Sequence, residues 1–250
     1  RVIMKKTLPI FSLIVFLLTS CGVVDNPVED ITSIKIKTET KYKINLSNQS
    51  EKQILYKKNY SRDQKIIDYT EYFPNGGIKF YSEFTYEKTK TTEEQKRFDE
   101  NGILLGTSRV LSVVDENGKI KEKTQISGDD KIISKEIYTY DVYGNLLRKE
   151  VQNLQVGTVL HYEYAYLYNN GSLIERTVSE KNSSETIITK ESLNYKQEEK
   201  ALQIINYDKN GSIQRIRTFY YNRYGLISIE TVADLNGNLL EKYQYSYIYY

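Results

Sequence analysis

Polar and apolar residues alternate with a period of two through most of the chain. Because successive side chains of an extended backbone point to opposite faces, this alternation predicts half-buried β-strands. The first predicted strand covers 31–44, with Ile36 and Ile44 on one face and Lys41 and Lys43 on the other. Two later rows consist of tyrosines: Tyr162, Tyr164 and Tyr166, and Tyr243, Tyr245 and Tyr247.

A short turn pattern separates the predicted strands, with spacings near multiples of about 13 residues. It has an aromatic or apolar residue, usually Asp or Asn, two variable positions and Gly, as in 98–102. A type I turn closed by a left-handed Gly at a bulge accommodates every copy, including those with Tyr143 or Tyr224 before the glycine, because positive φ is costly for Tyr. We assign a structural role to these turn glycines: Gly102, Gly118, Gly144, Gly171, Gly211, Gly225 and Gly237.

Together these patterns predict an all-β fold, an antiparallel up-and-down meander of about 13 short strands. The 24 tyrosines favour strands, because aromatic side chains pack well on a half-buried pleated surface. So many strands exceed what an open twisted sheet accommodates, so the sheet is expected to curl, split into two packed sheets or close. We expect a curled sheet or a partly closed barrel, with the aromatic rows on its concave face.

The stretch 138–146, which contains Tyr140-Asp141 and Gly144, resembles the YD repeat of the RHS family. The stretch 72–79 is more similar to the related MORN-like repeats of bacterial antitoxin-type proteins. The resemblance extends over about 72–250 and implies a curling β-sheet, which in RHS proteins often forms a shell around a C-terminal toxin. The pattern continues to Tyr250, so we expect the architecture without a toxin cargo.

The N-terminal segment has the pattern of a bacterial lipoprotein signal. Lys5 and Lys6 precede an apolar run, 8–18, that is too short to span a bilayer comfortably. The following Leu18-Thr19-Ser20-Cys21 resembles a lipobox, which implies that Cys21 becomes the mature N-terminus and carries lipid, palmitate included. An ordinary signal peptide with an incidental cysteine is the alternative.

The predicted organisation is a lipoprotein signal peptide at 1–20, a tether at 21–30 and a single β-repeat domain at 31–250. Two or more acyl chains on Cys21 give stable anchoring, which a single chain does not. We therefore expect an exported chain that is lipid-anchored to a bacterial membrane in the cell envelope.

Residues for catalysis are sparse. Cys21 is the sole cysteine and His161 the sole histidine, so the usual Ser-His-Asp and Cys-His systems and the usual zinc sites lack their residues. The carboxylate pairs Glu93-Glu94, Asp129-Asp130 and Glu198-Glu199 fall in predicted solvated turns, which disfavours a glycosidase. We expect no enzyme, no cofactor and no metal site.

Three functions remain open at this point. The first is a membrane-anchored structural or protein-interaction module, the second a carbohydrate-binding surface lipoprotein that uses the tyrosine rows, and the third a hydrolase. Without the basic residues of the leader the chain is near neutral, so nucleic acid is not an expected partner. We expect an envelope protein or polysaccharide to bind along the repeats, with contacts at the two tyrosine rows if their rings are exposed.

Overall fold

In the computed structural model, residues 34–181, 186–196 and 200–250 are described, apart from the side chains of 186–188. The predicted signal peptide, Cys21 and the tether lie outside these ranges. The described residues contain sixteen strands and no helix. The strands are β1 (Ile36–Ile44), β2 (Lys52–Tyr60), β3 (Ile66–Tyr72), β4 (Ile78–Tyr86), β5 (Lys90–Phe98), β6 (Leu104–Val114), β7 (Ile120–Ser127), β8 (Ile132–Tyr140), β9 (Leu146–Asn153), β10 (Thr158–Asn169), β11 (Ser172–Lys181), β12 (Thr186–Lys196), β13 (Ala201–Tyr207), β14 (Ile213–Tyr221), β15 (Ile227–Ala233) and β16 (Leu239–Tyr249).

The strands form one closed antiparallel barrel in which each strand pairs with its neighbours in sequence. The first and last strands close the ring, with Ile36 opposite Tyr249 and Ile44 opposite Lys242. The predicted all-β meander is confirmed, and it closes. At a strand spacing of about 4.8 Å and a tilt of about 40°, sixteen strands enclose a barrel roughly 30 Å across between backbones.

The barrel has sixteen strands where the sequence predicted about 13, because the turns between β1 and β2 and between β2 and β3 lack the glycine signal. The β2–β3 turn is closed by Gln64, which adopts φ 61° where other turns have glycine. A glycine-based pattern does not detect this turn, since a polar residue carries the left-handed conformation instead.

The Asp-x-x-Gly turns share one hydrogen-bonding scheme, seen at Asp115. Its carbonyl accepts from Gly118 N at 3.0 Å, while its carboxylate Oδ1 accepts from Asn117 N and Lys119 N at 2.9 and 2.8 Å. A register shift between Val113 and Val114 places the bulge beside the turn. Six turn glycines have φ between 71° and 89°: Gly102, Gly118, Gly144, Gly211, Gly225 and Gly237.

The β10–β11 turn differs from the others. Asn170 and Gly171 both have positive φ, 48° and 79°, and lie between the paired residues Asn169 and Ser172. These values describe a two-residue type I′ turn. The single turn type expected for all copies is therefore wrong at this position, where Asn tolerates the left-handed region that Tyr143 and Tyr224 avoid.

The ladders assign every strand residue to one of two faces, because directly paired residues point the same way. We call the first the aromatic face; it includes Glu39, Lys41, Tyr56, Tyr69, Phe80, Phe84, Tyr138, Lys149, Tyr162, Tyr164, Tyr166, Arg217, Phe219, Glu230, Tyr243, Tyr245 and Tyr247. We call the second the polar face; it includes Thr40, Lys57, Thr70, Glu83, Lys96, Arg109, Glu122, Lys135, Glu150, His161, Glu163 and Thr218.

The buried apolar core is small and lies on the aromatic face. It consists of Leu193, Leu202, Ile204 and Phe219, contributed by β12, β13 and β14. Among the described strands, only ladder neighbours bring Cα atoms within 8 Å of each other. The wall is therefore one layer thick, and its side chains bury one another mainly along each face.

Candidate functional site

The most buried polar cluster lies on the aromatic face at the seam between β1 and β16. We call Lys41, Arg217, Glu230 and Tyr245 the seam cluster. Glu230 Oε1 accepts from Arg217 Nε and Nη2 at 3.1 and 2.7 Å, and its Oε2 accepts from Lys41 Nζ and Tyr245 Oη at 2.8 Å each. Only 3% of the Glu230 side chain is exposed. All four strong acceptor positions of this carboxylate are thus occupied within the wall.

The charges of the seam cluster set its protonation. Burial alone would raise the pKa of Glu230, but the charges and hydrogen bonds of Lys41 and Arg217 outweigh burial and lower the pKa. Burial lowers the pKa of Lys41, against the opposing attraction of Glu230. The Lys41 ammonium also lies 4.2 Å from the ring centroid of Tyr243 and 5.1 Å from that of Tyr245. Glu230 is therefore suited to accept hydrogen bonds as a carboxylate and not to donate a proton.

A second carboxylate, Glu39, is held in the same way beside the seam cluster. It accepts from Tyr56 Oη at 2.7 Å and from Lys58 Nζ and Tyr60 Oη at 3.2 Å each. Burial, followed by the charge of Glu39, raises the pKa of Tyr56 far above its usual value. The tyrosine hydroxyls consequently stay protonated and donate to the carboxylate.

A similar cluster lies on β8, β9 and β10. The Lys149 side chain is 5% exposed, and its Nζ is 3.4 Å from Glu136. The Tyr138 hydroxyl donates to the same carboxylate. Lys149 also lies 5.8 Å from the ring centroid of Tyr138 and 5.7 Å from that of Tyr162. The aromatic face thus buries lysines between carboxylates and tyrosine rings at two separated places on the barrel.

The sequence pattern predicted the wrong environment for Lys41. The alternation in the first predicted strand places Lys41 on the polar side, yet its side chain is only 15% exposed and packs with Glu230 among tyrosines. Ile44, on the other side of β1, is also buried. Both faces of β1 are therefore partly covered, because neighbouring strands supply long side chains on each side.

The six predicted contact tyrosines all lie on the aromatic face and are half-buried, so they are neither fully exposed nor fully covered. Their two rows are on β10 and β16, with five strands between them in the barrel. The rows therefore form two separate surfaces. Burial raises the pKa of each tyrosine of the β10 row to about 12: Tyr162, Tyr164 and Tyr166.

Several of these hydroxyls are used inside the wall. Tyr243 donates to Glu241 at 2.6 Å, and Tyr245 donates to Glu230. Tyr166 and Tyr247 donate to backbone carbonyls at 2.9 and 2.8 Å. Some of the tyrosines therefore donate hydrogen bonds to carboxylates and backbone carbonyls of the barrel itself.

A regular Tyr–carbonyl contact was not predicted from the sequence. In four hairpins a tyrosine near the end of a strand donates to the carbonyl of the residue 20 positions earlier, at 2.8–3.0 Å. The pairs are Tyr86 with Ile66, Tyr140 with Ile120, Tyr166 with Leu146 and Tyr247 with Ile227. Each carbonyl belongs to the residue paired just after a register shift at the preceding turn. The spacing of 20 residues between each tyrosine and its acceptor residue is the sequence signal from which this contact could have been predicted.

The residues considered for catalysis are dispersed. His161 lies on the polar face, 54% exposed, with its Nδ1 3.5 Å from Glu150. It lines a surface cavity of about 1170 Å³ across β8–β11. Asp129-Asp130 lies in a turn, as predicted, and Glu198-Glu199 is outside the described residues. The turn prediction for Glu93-Glu94 is wrong: both lie within β5, on opposite faces, because the preceding turn ends at Thr89.

Within the described ranges, no three His, Cys, Asp or Glu side chains are grouped as a metal ion would need. Across the same residues, we find no helix with the length and apolar character to cross a membrane.

No protein-family model matches the sequence, and no curated protein is significantly similar to it. Solved structures do share the fold. A porin-like protein from Bacteroides uniformis is 9% identical, with a TM-score of 0.57 over 85% of this chain and 98% of that one. A porin-like protein from Bacteroides vulgatus is 14% identical, with a TM-score of 0.51 over the same shares of the two chains.

The structure of TcdB2-TccC3 without its hypervariable C-terminal region also aligns with this chain, at 12% identity and a TM-score of 0.32 over 80% of this chain and 14% of that one. A score this low carries no argument about the YD-repeat resemblance. The two porin-like structures support an antiparallel β-barrel architecture, and at their level of identity they bear on the fold alone.

Proposed function

We propose that this chain is a lipid-anchored, non-catalytic binding or scaffolding protein of a bacterial envelope. The observation that carries the proposal is that the buried charges of the aromatic face are used to hold the barrel together. Glu230, Glu39 and Lys149 each have partners within the wall. The barrel then serves as a stable support that presents its surfaces to a partner.

We infer that the aromatic face lines the barrel interior. Lys41 on β1 bonds Glu230 on β15 across the intervening β16, and the charge of Arg217 on β14 also acts on Lys41. Side chains converge on the concave side of a curved sheet and diverge on its convex side. Contacts that skip a strand are therefore favoured on the concave side, which supports an interior lined by tyrosines and ion pairs.

The composition of the two faces favours a barrel beside the membrane instead of within it. A lipid-facing wall needs an apolar band about 25 Å tall. The polar face has exposed charges within its strands, including Arg148 and Glu163 at 72% and 64% exposure and Lys190 at 47%. The aromatic face buries charges within its own strands. In our proposal the acylated Cys21 therefore provides the membrane attachment.

Anchoring is tested by phase partition of the full chain after expression in a bacterium. We expect the wild-type chain to enter the detergent phase and Cys21→Ser to remain in the aqueous phase. Ser47→Ala, an exposed residue of the 45–51 turn outside the leader, is the control. Equal partition of wild type and Cys21→Ser would refute the anchor.

Carbohydrate binding is the second candidate. The half-buried rings of Tyr162 and Tyr164 lie side by side along β10, and stacked aromatic rings suit sugar faces. A glycan-binding screen with Tyr164→Ala should show lost binding, while Tyr81→Ala on the polar face should retain it. Unchanged binding of Tyr164→Ala would remove the support for a sugar platform on this row.

A further inference from the structure

The two rims of the barrel differ in their exposed side chains. We define the tyrosine rim as the end that carries the start of β1, the end of β16, Lys200 and the turns at 61–65, 87–89, 115–119, 141–145, 170–171 and 222–226. We define the aliphatic rim as the opposite end, with the turns at 45–51, 73–77, 99–103, 128–131, 154–157, 208–212 and 234–238.

Every strongly exposed tyrosine of the described residues lies at the tyrosine rim. They are Tyr86, Tyr143, Tyr168, Tyr195, Tyr249 and Tyr250, of which Tyr143 is 87% exposed. The large exposed apolar residues of the aliphatic rim include no aromatic. They are Leu46, Ile78, Ile103, Leu104, Leu105, Ile132, Leu154, Val156, Val159, Leu235, Leu239 and Leu240. Exposed aliphatic residues occur at both rims, with Val142 and Ile248 at the tyrosine rim 94% and 60% exposed, whereas the exposed tyrosines are confined to one rim.

Basic side chains of the tyrosine rim lie next to its rings. Arg223 is 4.5 Å from the ring centroid of Tyr224, and Lys65 is 5.1 Å from that of Tyr86. Arg62 lies 5.8 Å from the ring centroid of Tyr250. These pairs place a cationic group and an amphipathic ring together at the edge of the barrel.

Charge separates the two rims as well. Among the described residues, the connecting segments of the tyrosine rim, with Lys35, contain seven basic and five acidic residues. Those of the aliphatic rim contain two basic residues, Lys131 and Lys209, against seven acidic ones: Glu51, Asp99, Glu100, Asp129, Asp130, Asp208 and Asp234. An anionic surface would repel the aliphatic rim and would not repel the tyrosine rim.

The chain enters the barrel at the tyrosine rim. Residue Ile36 at the start of β1 pairs with Tyr249 at the end of β16, so whatever precedes β1 approaches from this end. Cys21 is 13 positions before Ile34, a span of at most about 45 Å even if fully extended. An acyl group on Cys21 would therefore be attached on the side of this rim, which favours this rim over the opposite one for contact with the bilayer.

We propose that the tyrosine rim docks on the lipid headgroups of the membrane that holds the anchor, which leaves the aliphatic rim facing away. Tyrosine is enriched at membrane–water interfaces because its ring is apolar and its hydroxyl polar. Lys and Arg beside such rings reach lipid phosphates while their stems cover apolar surface. This inference rests on the proposed anchoring and adds an orientation and a second contact to it.

Single tryptophans test the orientation, since the chain has none of its own. Tyr143→Trp reports from the tyrosine rim and Leu235→Trp, at a site 64% exposed, from the aliphatic rim. Each lipidated full chain is reconstituted on vesicles of phosphatidylglycerol and brominated phosphatidylcholine. We expect at least twofold quenching of Trp fluorescence in Tyr143→Trp and none in Leu235→Trp.

The outcomes separate the two proposals. Vesicle-bound protein with neither tryptophan quenched, or with only the Leu235→Trp protein quenched, would overturn the docking and leave the anchor intact. Failure of the wild-type chain to float with vesicles would instead refute the anchor.

A second experiment removes the anchor, with every chain carrying Cys21→Ser. We expect salt-sensitive binding to phosphatidylglycerol vesicles that weakens at least tenfold in the triple variant Arg62→Glu, Lys65→Glu, Arg223→Glu. The matched control reverses three charges at the aliphatic rim: Lys52→Glu, Lys131→Glu and Lys209→Glu. Thermal unfolding of both variants checks that the barrel is intact. Equal loss in the two variants, or no binding by the parent chain, would overturn the docking.

Discussion

The two faces of the barrel wall use the same kinds of residues in different surroundings. On the aromatic face, Glu230 is 3% exposed and has two cationic partners and a tyrosine. On the polar face, Glu122 and Lys135 form an ion pair at 3.0 Å with 37% and 36% of their side chains exposed. Water screens the second pair more than the first, so the first is expected to matter more for stability.

The comparison is tested most strongly by neutralising one carboxylate on each face. Glu230→Gln should lower the free energy of unfolding by about 3 kcal/mol or more, because Lys41 and Arg217 remain buried without their counter-charge. Glu122→Gln should lower it by less than about 1 kcal/mol. Urea denaturation followed by circular dichroism measures both changes. Equal losses would mean that the two faces are equally solvated.

Low pH should reduce the difference in stability between wild type and Glu230→Gln. Because the pKa of Glu230 is lowered in the folded barrel, its contribution is present above the unfolded pKa of about 4.5 and is lost as pH falls through the lower, folded value. The stability gap between wild type and Glu230→Gln should therefore narrow as pH falls below about 4.5. A gap that widens in acid would contradict the assigned ionisation.

Backbone strain is expected to have an intermediate effect, and two glycines separate it from packing. Gly211 has φ 80°, Gly106 is an ordinary strand residue of β6, and a Cβ at either would meet no atom within 4 Å. Gly211→Val should destabilise the barrel by at least about 1 kcal/mol, whereas Gly106→Val should be neutral or slightly stabilising. Thermal unfolding compares the two variants, and similar losses would rule out turn conformation as the cause.

The smallest expected effect concerns tyrosine hydroxyls. Tyr247 donates to the Ile227 carbonyl in a half-buried position, whereas Tyr81 on the polar face donates to Glu83 in an exposed one. Tyr247→Phe should cost about 1 kcal/mol, because it leaves a carbonyl without its partner. Tyr81→Phe should cost less than about 0.5 kcal/mol. Chemical denaturation of both variants provides the measurement, and a larger loss in Tyr81→Phe would reverse the comparison.

Local sequence patterns predicted the antiparallel meander because it depends on short-range features, and the number of predicted strands indicated a curled sheet or a partly closed barrel. Strand alternation and the Asp-x-x-Gly turn are complete within a few residues. The β2–β3 turn was not predicted, because Gln64 adopts the left-handed region there. The burial of Lys41 was also not predicted, because it depends on Glu230 and Arg217, which are distant in sequence.

The candidate site shows the same limit. The sequence indicated that each tyrosine row shares a face, but not that the rows on β10 and β16 are separate surfaces, since that follows from the strand order of the closed ring. The Glu39 and Glu230 clusters also depend on closure, which brings β1 beside β16 and β15. In the sequence, Glu39 and Glu230 are single carboxylates within strands, and no neighbouring residue indicates which partners they contact.

The ladder between β1 and β16 has a consequence for how the barrel folds. It joins the first and last strands, so the hydrogen-bonding edge of β1 stays open until the last residues arrive. Closures between such distant residues form slowly, and an open strand edge is a template for another molecule. A chain shortened by β16 alone would expose two edges at once, those of β1 and β15, and should aggregate by strand addition.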